Sequence, residues 1–231
     1  MYEEISAFFQ KDVEALKEKL IPELLAFCRP FFDSEKEAEE FVLKCENHSN
    51  PAPKRALHQL QRHMTLANEM EKIHVQKETF QVFFWIVAIE AMYKASTKFA
   101  QKQKIEVIRD FFRNFILEED KLILIKRIQK HITPYQHTTI EIVADLFNTV
   151  RNMFAHEGIY WMFNFAKKQG ESTISFVPKE RTSKLSVYTM GSENMDAYTV
   201  SITKEEVQHI VIKGSIGYIQ QILNTIEKDS E

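Results

Sequence analysis

The sequence predicts a mainly α protein: a helical bundle with a small antiparallel β element near residues 172–202 and a C-terminal helix. Three observations carry that prediction. Proline and glycine are scarce, at 6 and 5 copies in 231 residues, whereas sandwiches and doubly wound sheets need many turns. Apolar residues recur at helical spacing through most of the chain. Only after Gly170 does the texture change to short alternating runs of β-branched and aromatic residues. A hydrophobic content of 44% suffices for one sizeable core at this length, and 18 Phe make that core aromatic-rich.

Residues 2–28 place Ile5, Phe8, Phe9, Val13, Leu16 and Leu20 at helical spacing, and Pro22 is expected to kink or split the segment. Ser34 with Glu37 is a capping box that opens a helix through about Lys44. Asn47 to Pro53 reads as a loop. A polar helix over about 54–73 and a strongly apolar one over about 77–101 follow. The second carries Phe80, Phe83, Phe84, Ile86, Val87, Ile89 and Ala91 on most of its sides, which places it centrally. Residues 104–131 form a further helix or pair, with Lys121, Lys126, Arg127 and Lys130 towards solvent. Thr133-Pro134-Tyr135 breaks the pattern, and Thr138 with Glu141 caps a helix over about 139–156. Residues 174–177, 185–188 and 198–202 are expected as two or three antiparallel strands. Thr203 with Glu206 caps a last helix over about 204–227. The whole reads as a single domain over 1–231: N-terminal helices (1–75), a bundle core (77–165), and the β element plus C-terminal helix (170–231).

Several function classes are disfavoured. A net charge of −3 supplies no long-range field for nucleic acid, so any such contact needs a local patch. The acidic start Met1-Tyr2-Glu3-Glu4 is unlike a secretory signal, and the longest apolar stretch, Phe83 to Met92, is too short to span a bilayer and contains Glu90. A soluble cytoplasmic protein without membrane contact is expected. Cys28 and Cys45 form no CxxC pair and read as free thiols rather than a disulfide. No phosphate-binding Gly-rich loop, serine-nucleophile motif or HExxH is present. Glu71 and His74 have the spacing of a di-iron ligand pair but lack the second pair that chemistry requires. No metal and no cofactor are expected.

The helix over 139–156 ends in Arg151-Asn152-Met153-Phe154-Ala155-His156-Glu157-Gly158. Arg followed directly by a polar residue, then His after four intervening residues in all, resembles the motif of the HEPN superfamily. The resemblance covers about 77–165, and the apolar helix around Trp85–Lys94 shares its bundle character. It implies a HEPN-like bundle and metal-independent cleavage of RNA to a cyclic phosphate, at a site formed across a symmetric homodimer. A toxin or defence effector, with an antitoxin or other protein partner, fits that class. Arg151 would hold the scissile phosphate, His156 would act as general acid/base, and Asn152 would position the phosphate or the His. In the toxin branch paired with a nucleotidyltransferase antitoxin, a Tyr stands two residues after the His. Here that position is Gly158 and the nearest Tyr is Tyr160, so the resemblance does not extend to nucleotide attachment there; Tyr160 is a supporting candidate only.

Bland readings stand beside these. A His in a last helical turn is favoured by the dipole alone, and Arg151 is equally well a solvated or ion-paired residue. Glu90 either faces Arg151 from the apolar helix, orienting or neutralising it, or lies on a polar stripe with Lys94 and Thr97. A non-catalytic HEPN-like module that binds a partner protein or a nucleotide is the alternative function. The cationic run Lys121–His131 reads as a solvated face before an RNA edge, and Tyr160, Trp161, Phe163 and Phe165 read as packing before base stacking.

Overall fold

The computed structural model describes residues 19–73, 78–96, 103–131, 137–158, 162–179 and 194–228. Eight helices and three strands are seen among these residues. Helix α1 covers 19–28 and continues through Pro22 without a break, followed by a 3₁₀ turn Arg29–Phe31. The other helices are α2 (Glu35–Asn47), α3 (Ala52–Ile73), α4 (Glu78–Ala95), α5 (Lys104–Asn114), α6 (Glu118–Arg127), α7 (Ile140–Asn152) and α8 (Lys204–Lys228). The strands are β1 (Ile128–His131), β2 (Thr173–Pro178) and β3 (Met195–Val200). Residues 2–18, Thr97, Thr133-Pro134-Tyr135 and the strand expected at 185–188 lie outside the described residues.

Two of the three sequence-read caps form as expected. Ser34 Oγ accepts from Glu37 N at 3.2 Å, opening α2. At α8 the box is reciprocal: Glu206 N donates to Thr203 Oγ1 (3.3 Å) and Thr203 N donates to Glu206 Oε2 (3.0 Å). The third cap is shifted by one residue. Thr139, not Thr138, accepts from Ile142 N (3.4 Å), because Thr138 Oγ1 is taken by Lys130 N at 3.0 Å.

Helix α4 is the hub. It buries Val82, Trp85, Ile86, Ala88, Ile89, Met92 and Tyr93 and packs against α3, α5, α7 and α8. The expected run 104–131 divides into two helices and a strand. Phe115 closes α5 by donating to Phe111 O (2.9 Å), and Glu118, Glu119 and Asp120 then open α6 at the positive end of its dipole. Helix α6 stops at Arg127 because Ile128–His131 pairs antiparallel with β3, Ile128 opposite Val200 and His131 opposite Ala197. The sheet order is therefore β1-β3-β2, and its third strand comes from a segment read from sequence as helix. Ile128-Gln129-Lys130-His131 has one apolar residue and no strand pattern of its own; the pairing comes from the partner.

Most of the expected cationic stripe is engaged in ion pairs, whereas Lys126 is exposed. Arg127 Nη1 bridges Glu206 Oε1 (2.7 Å), Lys130 Nζ bridges Asp196 Oδ2 (2.7 Å), and Lys121 Nζ bridges Glu118 Oε1 (2.5 Å). His131 Nε2 lies 2.6 Å from Thr199 Oγ1. The outer edge of β2 is met by the segment after α7: Phe176 N donates to Met162 O (3.1 Å), and Ser175 Oγ bonds both N and O of Asn164 at 3.0 Å. Phe163 and Phe165 of that segment are fully buried against Phe147 and Trp85, so they are packing residues. Trp161 lies outside the described residues.

One contiguous apolar cluster runs from Leu24 to Leu223 and includes the inward residues of the sheet, Ile128, Val177, Tyr198 and Val200. Cys28 and Cys45 are free and buried in it, and burial pushes both thiols up to about 12.

Candidate functional site

Helix α7 buries Ile140, Val143, Ala144, Phe147, Val150 and Arg151, a stripe at three- and four-residue spacing. Arg151 falls on that stripe, four residues after Phe147, and so points its stem into the protein. On α4, Glu90 is buried because that helix is apolar on nearly every side. The two charges meet. Arg151 Nη2 donates to Glu90 Oε2 at 3.0 Å, and both side chains are 9% exposed. Of the two sequence readings of Glu90, the one facing Arg151 is the one the structure contains.

Arg151 Nη1 also donates to Asn152 Oδ1 at 2.8 Å. This contact turns the amide so that Asn152 Nδ2 is left to donate elsewhere. The guanidinium has five N–H donors, and these two bonds engage two of them. Arg151 Nε and Glu90 Oε1 are buried without a hydrogen-bond partner. The ion pair is thus a single-point contact rather than the bidentate fork that arginine and carboxylate favour, and each partner keeps one unsatisfied atom.

Beyond Asn152 the chain departs from the expected α-helix. Met153–Glu157 form one turn of π-helix, closed by Gly158 N donating to Met153 O and Phe154 O. Gly158 is left-handed at φ 64°, which ends the helix and suits glycine above any other residue. The position that carries Tyr in the toxin branch therefore sits in backbone that disfavours Tyr. His156 lies within this π turn, five residues after the buried Arg151. His156 is exposed, and among the described residues it makes no hydrogen bond or ion pair. Tyr160 lies outside the described residues.

The site therefore combines an exposed imidazole, a half-exposed amide and a buried cation already paired with a carboxylate. The cation's charge is offset by Glu90, and both side chains are buried.

Sequence reasoning missed the aromatic residues beside the site. Phe154, between Asn152 and His156, meets Phe80 at 4.5 Å between ring centroids (71° between planes) and Phe83 at 4.9 Å (75°). All three rings are half-exposed and stand outside the buried core. The signal was present as Phe154 within the motif itself, but two of the rings come from another helix.

No family model, curated protein or solved structure matches this chain. Among the described residues no group of three or more His, Cys, Asp and Glu side chains is arranged to hold a metal ion. None of the described helices is long and apolar enough to cross a membrane.

Proposed function

We propose that this protein is a HEPN-like endoribonuclease that cleaves RNA without a metal, with Arg151, Asn152 and His156 as its site. The observation that carries the reading is the junction of α7 and the π turn. Arg151 and Asn152 are bonded to each other there, and the exposed His156 follows within the π turn. These are the residue types that the reaction requires. The ribose 2′-oxygen attacks phosphorus as its proton leaves to a base; the bond to the 5′-oxygen breaks, and that oxygen takes a proton from an acid. The products are a 2′,3′-cyclic phosphate and a 5′-hydroxyl. His156 supplies proton transfer, Arg151 the N–H donors for the phosphoryl oxygens, and Asn152 Nδ2 a further positioning donor. The resemblance to the HEPN superfamily implies a site formed across two facing copies, which is why the proposal includes a homodimer. A toxin or defence effector held by a partner protein fits this activity.

One observation favours the alternative, a non-catalytic module of the same fold that binds a protein or nucleotide. Arg151 is only 7% exposed and already paired with Glu90, an arrangement that a purely structural ion pair would also show.

The test is cleavage of a mixed labelled RNA panel in EDTA by wild type, His156→Ala and the double variant Glu90→Gln/Arg151→Gln. His156 is exposed, so its loss reads chemistry without disturbing the fold; the double variant keeps the interior neutral. Cleavage by wild type and its loss by at least 100-fold in His156→Ala is expected, the size of a general acid/base contribution. A folded wild type that leaves every RNA intact would leave the binding module, whose ligand affinity His156→Ala does not change.

A further inference from the structure

Helix α8 carries Gly214 and Gly217, and packing explains only the first. A glycine inside a helix weakens it relative to alanine, so each position calls for a reason. At Gly214 the reason is a close approach, because a Cβ there would collide with Ile116 and the backbone oxygen of Phe115. At Gly217 a Cβ would meet nothing within 4 Å. Gly217 instead lines an open groove of about 290 Å³. The groove is formed by α8 from Lys213 to Gln220, by Phe115 and Leu117 at the α5–α6 junction, and by the turn and helix start from Phe31 to Glu37.

The apolar lining is already held in place. Phe31 stacks on His209 (4.8 Å between ring centroids, 29° between planes), Phe32 packs on Phe41 (5.2 Å), and Phe115 meets Tyr218 edge-on (4.9 Å). These three phenylalanines are half-buried, and Leu117 is 47% exposed. A ligand would find this surface pre-organised, which spares the cost of ordering it. The volume stands at the bottom of the range for small-molecule pockets, about 300–1,000 Å³, and suits a single anchoring side chain of a protein segment.

The rim decides what kind of segment. Lys213 is engaged by Glu119 Oε1 (3.0 Å) and Asp120 Oδ2 (3.2 Å), so its charge is offset. Asp33 and Glu37 are exposed, and among the described residues neither carboxylate has an ion pair or a side-chain hydrogen bond. An apolar groove with an acidic rim complements an apolar anchor flanked by cations. The chain's own first 18 residues fit poorly, since Glu3, Glu4, Asp12, Glu14 and Glu18 outnumber Lys11 and Lys17. A second copy docked groove to groove would set these carboxylates against their own counterparts.

We propose that this groove is a docking site for a partner protein, which seats an aromatic or aliphatic side chain over Gly217 and sets flanking lysines or arginines against Asp33 and Glu37. None of the lining residues belongs to α7, so the inference does not rest on the ribonuclease reading.

The experiment selects phage-displayed random peptides of about twelve residues on the immobilised full chain, with Gly217→Leu as the counter-selecting protein. Leucine at this position fills the groove, and its gain in helix propensity keeps the fold, which a thermal melt verifies. Peptides held by wild type and not by Gly217→Leu are expected to share an aromatic or aliphatic residue flanked by Lys or Arg. A labelled peptide from that set is expected to bind Gly217→Leu at least about tenfold more weakly by fluorescence anisotropy. Asp33→Asn/Glu37→Gln weakens it by about tenfold as well and flattens its salt dependence. Should Gly217→Leu fold poorly, Leu117→Glu, at an exposed position, takes its place. The proposal is overturned if no selected peptide depends on Gly217 or Leu117, if the dependent peptides are acidic or lack an apolar residue, or if neutralising Asp33 and Glu37 leaves affinity unchanged. Selection of sequences that match this chain itself would assign the groove to self-contact and overturn it too.

Discussion

Glu90 and Arg151 are two charges placed by their helices where only apolar residues would otherwise stand. Their single hydrogen bond leaves an orphan acceptor on one and an orphan donor on the other. Removing either partner alone strands a charge in the interior, so Glu90→Ala and Arg151→Ala are each expected to lower stability by about 3–5 kcal/mol. Replacing both with apolar residues of similar size, Glu90→Leu/Arg151→Met, is expected to recover most of that loss or exceed wild type. Denaturant titration of the four proteins checks this. A double variant as unstable as the singles would mean that the pair contributes through packing that leucine and methionine cannot copy. The Arg151-Asn152-His156 run was legible in the sequence because it is contiguous. That Glu90 faces Arg151 was open as one of two readings, because a lone carboxylate on an apolar helix names no partner until a second helix is laid against it. The Phe80–Phe83–Phe154 ring cluster was not legible, since it joins residues some 70 positions apart through a packing angle that periodicity does not encode.

Helices were read well where they carry their own signals and poorly where a neighbour decides. The capping boxes at Ser34 and Thr203 are local chemistry, and both form. Strand β1 has no local chemistry: its alternation appears only once β3 is beside it. The π turn after α7 was likewise invisible, because a glycine at the helix end announces a stop but not the width of the last turn. Small residues within α8 illustrate the same division. Gly214 and Gly217 lie three apart in one helix, yet a Cβ at Gly214 would meet Ile116 Cδ1 at 2.8 Å and Phe115 O at 3.0 Å, whereas one at Gly217 meets nothing within 4 Å. Opposite outcomes follow. Gly214→Ala is expected to destabilise by about 1–3 kcal/mol, because the backbone oxygen cannot give way as a side chain can. Gly217→Ala is expected to stabilise by up to about 1 kcal/mol through helix propensity. Thermal melts of the two variants decide it; loss of stability in both would mean that Gly217 serves a close approach outside the described residues.

At the scale of the whole molecule, the question is whether the bundle and the sheet are one folding unit. The change of texture at Gly170 invites a boundary, but the packing argues against one. Tyr198 of β3 is 3% exposed and belongs to the same apolar cluster as Trp85 and Ile89 of α4. Ser201 N donates to Arg127 O at 2.8 Å and Arg127 bridges Glu206, so the end of α6, the end of β3 and the start of α8 are tied at one corner. Ala166 N donates to Ile202 O at 3.0 Å, bringing the segment after α7 to that corner too. Tyr198→Ala is therefore expected to weaken the entire structure by about 3–5 kcal/mol rather than the sheet alone, since the cavity opens in a shared core. Native-state hydrogen exchange distinguishes the two, because protection reports the free energy of the opening that exposes each amide. In one cooperative unit, the amides of α4 lose as much protection as those of β2 and β3. If the sheet amides become labile while those of α4 keep their wild-type protection, the sheet opens separately. The site at the end of α7 would then depend on the helical bundle alone.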